Sequence, residues 1–344
     1  MDAATLTPAQ ALREIAFLLE REGAPRFKIQ AFHKAATAIE ALDDDDLAAR
    51  ARDGRLRRTP GIGERSLEVI RQALEGDVPG YLADLRERNR TAMSPEGRTL
   101  RDSLRGDLHS HSEWSDGNAP IPRMIAAAES LGHEYLALTD HSPNLTVANG
   151  LTAERLAEQL SVSAELDAAH PSLRLLTGIE VDILEDGTLD QRPELLDRLD
   201  VVVASVHSKL RADAPTMTRR MLRAIEDPHT NVLGHCTGRL VQGQRGTRPP
   251  SDFDAETVFA ACAEHSVAVE INSLPERQDP PDELIAMALD AGCLFSINSD
   301  AHAGGQLGLI DYGAERAAAA GVPAERIVTT WPVAELLAWS RAAR

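Results

Sequence analysis

Residues 121–141, IPRMIAAAESLGHEYLALTDH, decide the fold of most of this chain. Residues 121–131 carry apolar side chains at helical spacing, and residues 135–138 form a short apolar run that is typical of a buried strand. The run ends in the polar segment Thr139-Asp140-His141. A helix followed by a buried strand is the repeating unit of parallel sheets whose faces are covered by helices. We therefore expect an α/β fold.

The same unit recurs along residues 106–330. Further apolar runs occupy residues 173–179, 201–206, 231–233, 267–271 and 294–297. Amphipathic helical segments lie between them, at residues 153–168, 216–225, 254–264 and 282–291. Six or seven such repeats within about 240 residues fit a closed barrel better than an open sheet. Residues 332–344 are predicted to form a last helix.

The first part of the chain has a different pattern and is predicted to be all helical. Residues 11–19, 31–39 and 66–74 have apolar side chains at helical spacing, and Asp43–Asp46 is predicted to be a solvated loop leading into a helix. Residues 76–105 are interpreted as a final helix plus linker. We expect a helical domain at 1–80, a linker or helix at 81–105, and a barrel domain at 106–344.

Composition and charge limit the kind of protein. The chain has 344 residues, three widely spaced cysteines and a net charge of −18. It has neither the roughly 20-residue apolar run of a membrane span nor a signal-peptide pattern at its start, so we expect a cytoplasmic protein without membrane partners. Residues 1–100 carry −1 and the remainder −17. An acidic barrel repels nucleic acid at long range, so any DNA affinity must come from local features.

Histidines and carboxylates follow the ends of the predicted strands. His109 and His111 are two residues apart, which points both to the same side of a strand. For any single histidine, a structural, hydrogen-bonded imidazole is the simpler interpretation. Because the carboxyl ends of barrel strands face one mouth, the whole set is better explained as one metal centre. The candidate ligands are His109, His111, Asp116, His141, Glu180, His207, His235, Asp300 and His302. The other histidines, which are expected at the surface or in ordinary packing, are His33, His133, His170, His229 and His265.

The residue types indicate the metals and the chemistry. Imidazoles and carboxylates without cysteine suit Zn²⁺, Mn²⁺ or Fe²⁺, and nine ligands exceed the needs of one ion, so two or three ions are expected. Clustered cations serve hydrolysis of phosphate esters. Lys209, Arg239 and Arg277 follow strand ends and could hold phosphate oxygens as catalytic residues, or simply lie on the rim.

At this point the sequence resembles the PHP domain, the polymerase and histidinol phosphatase superfamily. The matching segments are DLHSHSEWSDG (107–117), LTDHS (138–142), GIEVDI (178–183), ASVHS (204–208), LGHCTGRL (233–240), EINSLPERQD (270–279) and SDAH (299–302). The resemblance implies a distorted barrel of seven strand–helix units with three metals. It implies a first metal on His109, His111, Glu180 and Asp300, a second on Glu180, His207 and His235, and a third on Asp116, His141 and His302, with Glu180 bridging.

The subfamily that the chain resembles is the bacterial family X DNA polymerases. LGHCTGRL and EINSLPERQD are similar to their C-terminal PHP domain, which is associated with 3′-end processing; Cys236 stands where that motif usually has proline, and is expected to be buried. RFKIQAFHKAATAIEAL (26–42) and TPGIGERSLEVI (59–70) resemble their N-terminal helical domain and its helix–hairpin–helix. Gly61 and Gly63 would let backbone N–H groups approach a DNA phosphate, with Arg65 nearby. A plain tight turn between packed helices is the alternative.

Two departures from those polymerases matter. In related domains with lyase activity a Schiff-base lysine follows the hairpin, but Val69 stands there and residues 59–100 contain no lysine. The chain also runs directly from the helical part into the barrel. The polymerase palm and its carboxylates are missing, so the chain cannot be a family X polymerase.

Three functions remain open. The first is a metal-dependent phosphoesterase that processes DNA 3′ ends in repair, as a 3′–5′ exonuclease or 3′-phosphatase, with the helical domain on the DNA backbone. The second is a small-molecule phosphatase, such as one acting on histidinol phosphate. The third is a DNA-binding or scaffolding protein with a decayed barrel. The sequence leaves the oligomeric state open.

Overall fold

The structure is a computed structural model that describes residues 6–243 and 246–342. The chain divides into two compact units, Met1–Ala92 and Met93–Arg344. Each has its own hydrophobic core.

The first unit is all helical, as predicted. Its helices are α1 (Pro8–Arg21), α2 (Arg26–Glu40), α3 (Asp44–Asp53), α4 (Glu64–Leu74) and α5 (Gly80–Arg88). The Asp43–Asp46 run forms the N-terminus of α3, in agreement with the prediction. The Asp43 side chain accepts a hydrogen bond from Asp46 N and so caps the helix. The apolar faces of the helices meet around Leu12, Ile15, Ile70 and Leu82, all fully buried.

The hairpin between α3 and α4 depends on one of its two glycines. A 3₁₀ turn at Arg55–Arg58 leads into residues 59–63. Gly61 has φ +91°, and a Cβ there would lie 3.3 Å from the Lys34 carbonyl oxygen. Gly63 has φ −92°, an ordinary value, and its N–H donates to Ser66 Oγ. Only Gly61 therefore needs to be glycine for the turn to form.

Residues 76–105 contain two helices, where the sequence predicted one. The helix α6 (Pro95–Ser103) follows α5. Its N-cap is Ser94, whose Oγ accepts a hydrogen bond from Gly97 N. The sequence reading missed it because α6 is mostly polar and has only Leu100 as a large buried side chain. The helix α5 lies in the first unit and α6 in the second.

The second unit contains seven parallel strands in the order in which they occur along the chain. They are β1 (Gly106–Asp107), β2 (Tyr135–Leu138), β3 (Arg174–Asp182), β4 (Val201–Ser205), β5 (Val232–Leu233), β6 (Ala268–Asn272) and β7 (Phe295–Asn298). The helices after α6 are α7 (Ile121–Ser130), α8 (Ala153–Ala169), α9 (Pro193–Leu196), α10 (Ala214–Ile225), α11 (Ala255–Glu264), α12 (Asp282–Asp290), α13 (Ile310–Ala319) and α14 (Val333–Ser340).

The first and last strands meet just beyond their ends and nearly close the barrel. Ser110 pairs with Ala301 as a parallel bridge, and His111 N donates to Ala301 O at 2.8 Å. Ser299 N donates to the Asp107 carboxylate at 3.1 Å. The predicted fold, a seven-stranded α/β barrel preceded by an all-α domain, is confirmed.

In the second unit, the boundaries of β2–β7 and of the predicted helices other than the last agree with the prediction to within about three residues, but α9 and α13 were not predicted, in addition to α6. The helices α9 and α13 lie in stretches that give no clear apolar periodicity, α13 being rich in alanine (IDYGAERAAA). The last helix ends at Ser340, short of the predicted 344; residues 343–344 lie outside the described part. Among the described helices, none combines the length and apolar character that crossing a membrane requires.

Candidate metal centre

The nine candidate ligands lie together at the carboxyl ends of the strands. They fall into four overlapping groups, and within each group the ligand atoms are all within 4.8 Å of one another. The groups are His111, Asp116, His141 and His302; His109, His111 and Asp300; His109, Glu180 and His235; and His141, Glu180 and His207. Strand ends distant in sequence converge because parallel barrel strands share one mouth.

Glu180 lies at the middle of these groups, and its two oxygens face different histidines. Oε1 is 2.9 Å from His235 Nε2 and 3.3 Å from His207 Nε2. Oε2 is 2.8 Å from His141 Nδ1 and 3.4 Å from His109 Nε2. A carboxylate between two sets of imidazoles can contact a separate cation with each oxygen, which is the geometry of a bridging ligand.

Two further carboxylates complete the groups. Asp300 Oδ1 is 3.3 Å from His111 Nε2 and 3.9 Å from His109 Nε2. Asp116 Oδ1 is 3.4 Å from His302 Nε2 and 3.6 Å from His141 Nε2. The four groups overlap with the three ligand sets that the family resemblance implies but do not coincide with them, because His207 and His235, expected on one ion, lie in separate groups that share Glu180.

Several buried polar atoms in these groups have no hydrogen-bond partner. They are His109 Nε2, both ring nitrogens of His111, His141 Nδ1, His235 Nδ1 and Glu180 Oε2. His141 Nδ1 and Glu180 Oε2 are close, but their geometry is not that of a hydrogen bond. Because buried polar atoms are normally paired, a cluster of unpaired imidazole nitrogens around a carboxylate fits residues built to bind cations.

Three of the candidate ligands, His109, His207 and His302, have a hydrogen-bonded Nδ1 atom. His109 Nδ1 lies 2.6 Å from Glu270 Oε1, and His207 Nδ1 lies 2.6 Å from Asp182 Oδ1. His302 Nδ1 lies 2.9 Å from the Asp300 carbonyl oxygen. Such contacts fix the ring orientation and tautomer of metal-binding histidines. From the sequence, Glu270 was expected at the same mouth of the barrel but was given no role, and neither was Asp182, although Asp182 is two residues beyond Glu180 and so lies on the same side of β3.

Burial and mutual charge shift the pKa values of the cluster in opposite directions. Burial alone would raise the pKa of Glu180, but the charges of His109, His207 and His141 hold it well below its ordinary value. Burial opposes protonation of His207, yet Glu180 and the Asp182 hydrogen bond raise its pKa to about 9. His111, buried and beside His302 and His141, has its pKa lowered to about 3. In the chain without metal, the cluster therefore holds several protons.

The three cations suggested as phosphate contacts lie in different environments. Arg277 is buried and donates from Nε to Asp300 Oδ2 at 3.0 Å. Arg239 donates from Nε to the Arg277 carbonyl oxygen at 3.1 Å and also bonds the Gln278 carbonyl. The Lys209 side chain is 64% exposed, with Glu185 Oε1 3.8 Å from its Nζ. Arg277 is thus part of the buried cluster, Arg239 braces a loop, and Lys209 is free to reach a ligand in solvent.

Cys236 and the remaining histidines do not contribute ligand atoms to the four groups. Cys236 is buried, as expected, and burial raises the pKa of its thiol well above the usual value. His33 contacts Glu20 at 3.0 Å, and His229 contacts Asp227 at 2.8 Å.

Both parts of the chain match known sequence families. Residues 6–78 match the helix-hairpin-helix domain family, and residues 107–274 match the PHP domain family. Only residues 79–106 lie between the two matched segments.

The chain is similar to proteins of two kinds. It is 39% identical over 199 residues to the DNA polymerase/3′-5′ exonuclease PolX of Bacillus subtilis (strain 168), a match that covers 58% of this chain and 34% of that protein. The chain thus spans about a third of the length of PolX. It is 27% identical over 243 residues to the probable phosphatase YcdX of Escherichia coli (strain K12), covering 66% of this chain and 90% of that one.

A solved structure with some likeness is histidinol phosphate phosphatase from Lactococcus lactis subsp. lactis Il1403, in complex with zinc, L-histidinol and phosphate. It is 18% identical, and the match covers 58% of this chain and 87% of that chain with a TM-score of 0.43. The two family matches, together with the barrel and the hairpin, show that this chain contains a helix-hairpin-helix domain followed by a PHP domain.

Proposed function

We propose that this protein is a metal-dependent phosphoesterase that processes the 3′ ends of DNA. The observation that carries the proposal is the set of four overlapping ligand groups around Glu180, whose two oxygens face separate sets of histidines. Bound divalent ions would acidify a water molecule and neutralise charge on phosphoryl oxygens, the two requirements of phosphate ester hydrolysis.

The side chains around the ligands have distinct roles in this proposal. Glu180 would offer one oxygen to each of two ions, and Glu270 and Asp182 orient the rings of His109 and His207. Arg277 balances the charge of Asp300 from inside the cluster. Lys209, exposed two residues after His207, is placed to bind a non-bridging phosphate oxygen by a charge-assisted hydrogen bond. Arg239 supports the loop that carries Arg277.

We infer that the cluster binds three ions of the Zn²⁺, Mn²⁺ or Fe²⁺ type. Imidazole nitrogens with a few carboxylates suit these ions better than Mg²⁺ or Ca²⁺. Counting metals by mass spectrometry after purification in chelator-free buffer tests this directly. Three ions per chain agree with the inference, and a single ion contradicts it.

The helical unit favours DNA as the substrate. Gly61 gives the hairpin the turn that leads into α4, and helix N-termini attract phosphate. The N–H groups of Ile62 and Gly63 donate to Thr59 O and Ser66 Oγ, so a phosphate would be bound by N–H groups of the first turn of α4 rather than by Gly63, which the sequence had suggested. Arg65 follows on the first turn of α4 with its side chain 63% exposed. The similarity to PolX, whose name includes a 3′-5′ exonuclease, also favours DNA.

A small phosphate ester is the second candidate substrate. It is favoured by the acidic barrel unit, which repels a polyanion, and by the similarity to the probable phosphatase YcdX, which the match covers over 90% of its length. A helix-hairpin-helix domain has no evident role in that activity, so this candidate ranks second.

One experiment separates the candidates. The Mn²⁺-loaded protein is incubated with a 3′-labelled nicked duplex, a 3′-phosphorylated duplex and histidinol phosphate. The variant His109→Ala serves as the inactive control, and His265→Ala, an exposed histidine outside the ligand groups, as the matched active control. Circular dichroism checks that both variants fold.

DNA trimming or dephosphorylation that is lost only in His109→Ala supports the proposal. In that case Arg65→Glu is expected to reduce activity on DNA steeply at low salt, and the difference from the wild type should shrink at higher salt, because salt weakens the lost phosphate contact in the wild type. Turnover of histidinol phosphate with inert DNA would replace the proposal by the second candidate. No hydrolysis of any substrate by the loaded protein would favour a DNA-binding protein without catalysis.

A further inference from the structure

Glu270 is a buried carboxylate that contacts two of the candidate ligands at once. It lies in β6 and is completely inaccessible to solvent. Oε1 is 2.6 Å from His109 Nδ1 and accepts from Asn298 Nδ2 at 2.9 Å. Oε2 accepts from the backbone N–H of His235 at 2.7 Å and from Asn272 Nδ2 at 3.1 Å. Each oxygen therefore serves one ligand and one asparagine.

The Oε1 contact determines which nitrogen of His109 is free. A carboxylate can only accept here, so His109 Nδ1 carries a proton, and Nε2 is the nitrogen that can give up its proton and bind a cation. His109 Nε2 is the atom that lies near Glu180 and Asp300, and it has no hydrogen-bond partner. Glu270 thus leaves Nε2 as the nitrogen of His109 that faces the cluster.

The Oε2 contact holds the backbone of His235 in an unusual conformation. His235 has φ +20°, a value that non-glycine residues rarely adopt. This conformation places His235 Nε2 2.9 Å from Glu180 Oε1. The hydrogen bond from His235 N to Glu270 offsets part of the strain and fixes the direction of the ring.

We propose that Glu270 is a positioning residue that serves two metal sites together, by setting the tautomer of His109 and the backbone of His235. The inference rests on the proposed metal centre, in which these two histidines lie on opposite oxygens of Glu180. Asp182 is the natural comparison, because it contacts His207 Nδ1 at the same 2.6 Å but serves that one histidine only.

The variant Glu270→Gln changes one acceptor and keeps the shape of the side chain. Glutamine has one oxygen and one NH₂ group, so it cannot accept from both His109 Nδ1–H and His235 N–H. At one of the two contacts the glutamine NH₂ group then faces an N–H donor. The side chain must move away from that donor, and this movement also weakens the other contact. We expect Glu270→Gln to weaken two ions about 10- to 100-fold, and Asp182→Asn to weaken one ion by a similar factor.

The test combines metal titration with NMR of zinc-loaded protein labelled with ¹⁵N-histidine. Zn²⁺ affinities are measured by competition with a chelator for the wild type, Glu270→Gln and Asp182→Asn. Glu20→Gln, which alters the carboxylate next to His33 in the helical unit, is the matched control and should bind as the wild type does. NMR identifies the protonated nitrogen of His109, and Asp182→Asn assigns the corresponding His207 signal.

Two weakened ions in Glu270→Gln, one in Asp182→Asn, and a hydrogen-bonded Nδ1–H on wild-type His109 support the inference. Wild-type affinity in Glu270→Gln, or a proton on Nε2 of His109 in the wild type, overturns it. If Glu270→Gln fails to fold, the wild-type NMR result alone decides. A wild type that takes up no zinc overturns the proposed metal centre as well, whereas normal uptake with an unaffected Glu270→Gln overturns the inference alone.

Discussion

Loading the metal-free protein with zinc is expected to release two to three protons per chain at pH 7.5. Glu180 and Asp182 raise the pKa of His207 to about 9 against the effect of burial, and Glu270, Glu180 and Asp300 raise that of His109 well above its usual value. A group with a pKa of about 9 is ~97% protonated at pH 7.5. Because an imidazole must be neutral to bind a metal, each of these histidines releases about one proton.

The other histidines of the centre determine the upper limit of the number of protons released. The pKa of His302 is also raised, by Asp116 and Asp300 against burial, so it adds up to one proton. His111, whose pKa is about 3, and His235, whose pKa is lowered by burial and by Arg277, are already neutral and add none. The release is therefore smaller than the number of histidines in the centre.

Isothermal titration calorimetry measures this number. Zinc is titrated into the chelator-treated protein in three buffers of different ionisation enthalpy, and the slope of apparent enthalpy against buffer enthalpy gives the protons released. At pH 10, above the pKa of His207, the number should fall by about one. Asp182→Asn should also lower it, and His265→Ala should leave it unchanged. A slope of zero at pH 7.5 would refute the protonation states described here.

The raised pKa of His207 also affects the stability of the metal-free chain. A histidine whose pKa rises on folding stabilises the folded state fully below its unfolded pKa of about 6.5, and this contribution is lost as the pH rises through the folded pKa. For His207 the loss falls between pH 6.5 and about 9. Urea unfolding of the metal-free protein should therefore show lower stability at pH 9.5 than at pH 6.5, and equal stability at the two pH values would contradict the raised pKa.

Four further outcomes are expected. Gly61→Ala should destabilise the helical unit by about 1–2 kcal/mol, because φ is +91° and the Lys34 carbonyl is close, while Gly63→Ala should change little; thermal unfolding compares them. Phe259→Ala, at a fully buried side chain, should lower the stability of the barrel unit by about 3–5 kcal/mol in urea, and a value below 1 would show that the site repacks. Asp116→Ala should remove one ion and leave the others, as counted by mass spectrometry. Glu40→Gln, in an exposed pair with Arg13, should shift stability by less than about 1 kcal/mol.

The sequence was sufficient for the barrel because its strands have an unambiguous pattern. Tyr135–Leu138 is an apolar run bounded by polar residues, and the structure begins and ends the strand at the predicted residues. Most of the nine candidate ligands were recognisable because they stand at the end of such a run, and parallel strands bring their ends together whatever their separation along the chain. His109 and His111 follow a strand of only two residues, and Asp116 lies in a turn.

What the sequence could not supply depends on contacts across long separations. Glu270 lies 161 residues from His109, and nothing local to either residue shows that they meet. The helix α13 was missed because its buried face consists of small residues such as Gly313 and Ala314, which give a weak apolar pattern. Side-chain direction was also out of reach: Arg239 and Lys209 both follow strand ends, yet one bonds backbone carbonyls and the other extends into solvent.

The meeting of the first and last strands has a mechanical consequence. β1 has only two residues, and the barrel is joined there by a few hydrogen bonds, among them His111 N to Ala301 O and Ser299 N to Asp107. His111 lies on one side of that junction and Asp300 on the other, and both belong to one ligand group. An ion bound by both residues would crosslink the first and last strands of the barrel. Local opening at this junction should then become rarer by a factor of about 1 + [metal]/Kd. Amide hydrogen exchange of residues 108–111 and 299–302 should therefore slow down as metal binds, while exchange in the rest of the barrel changes less.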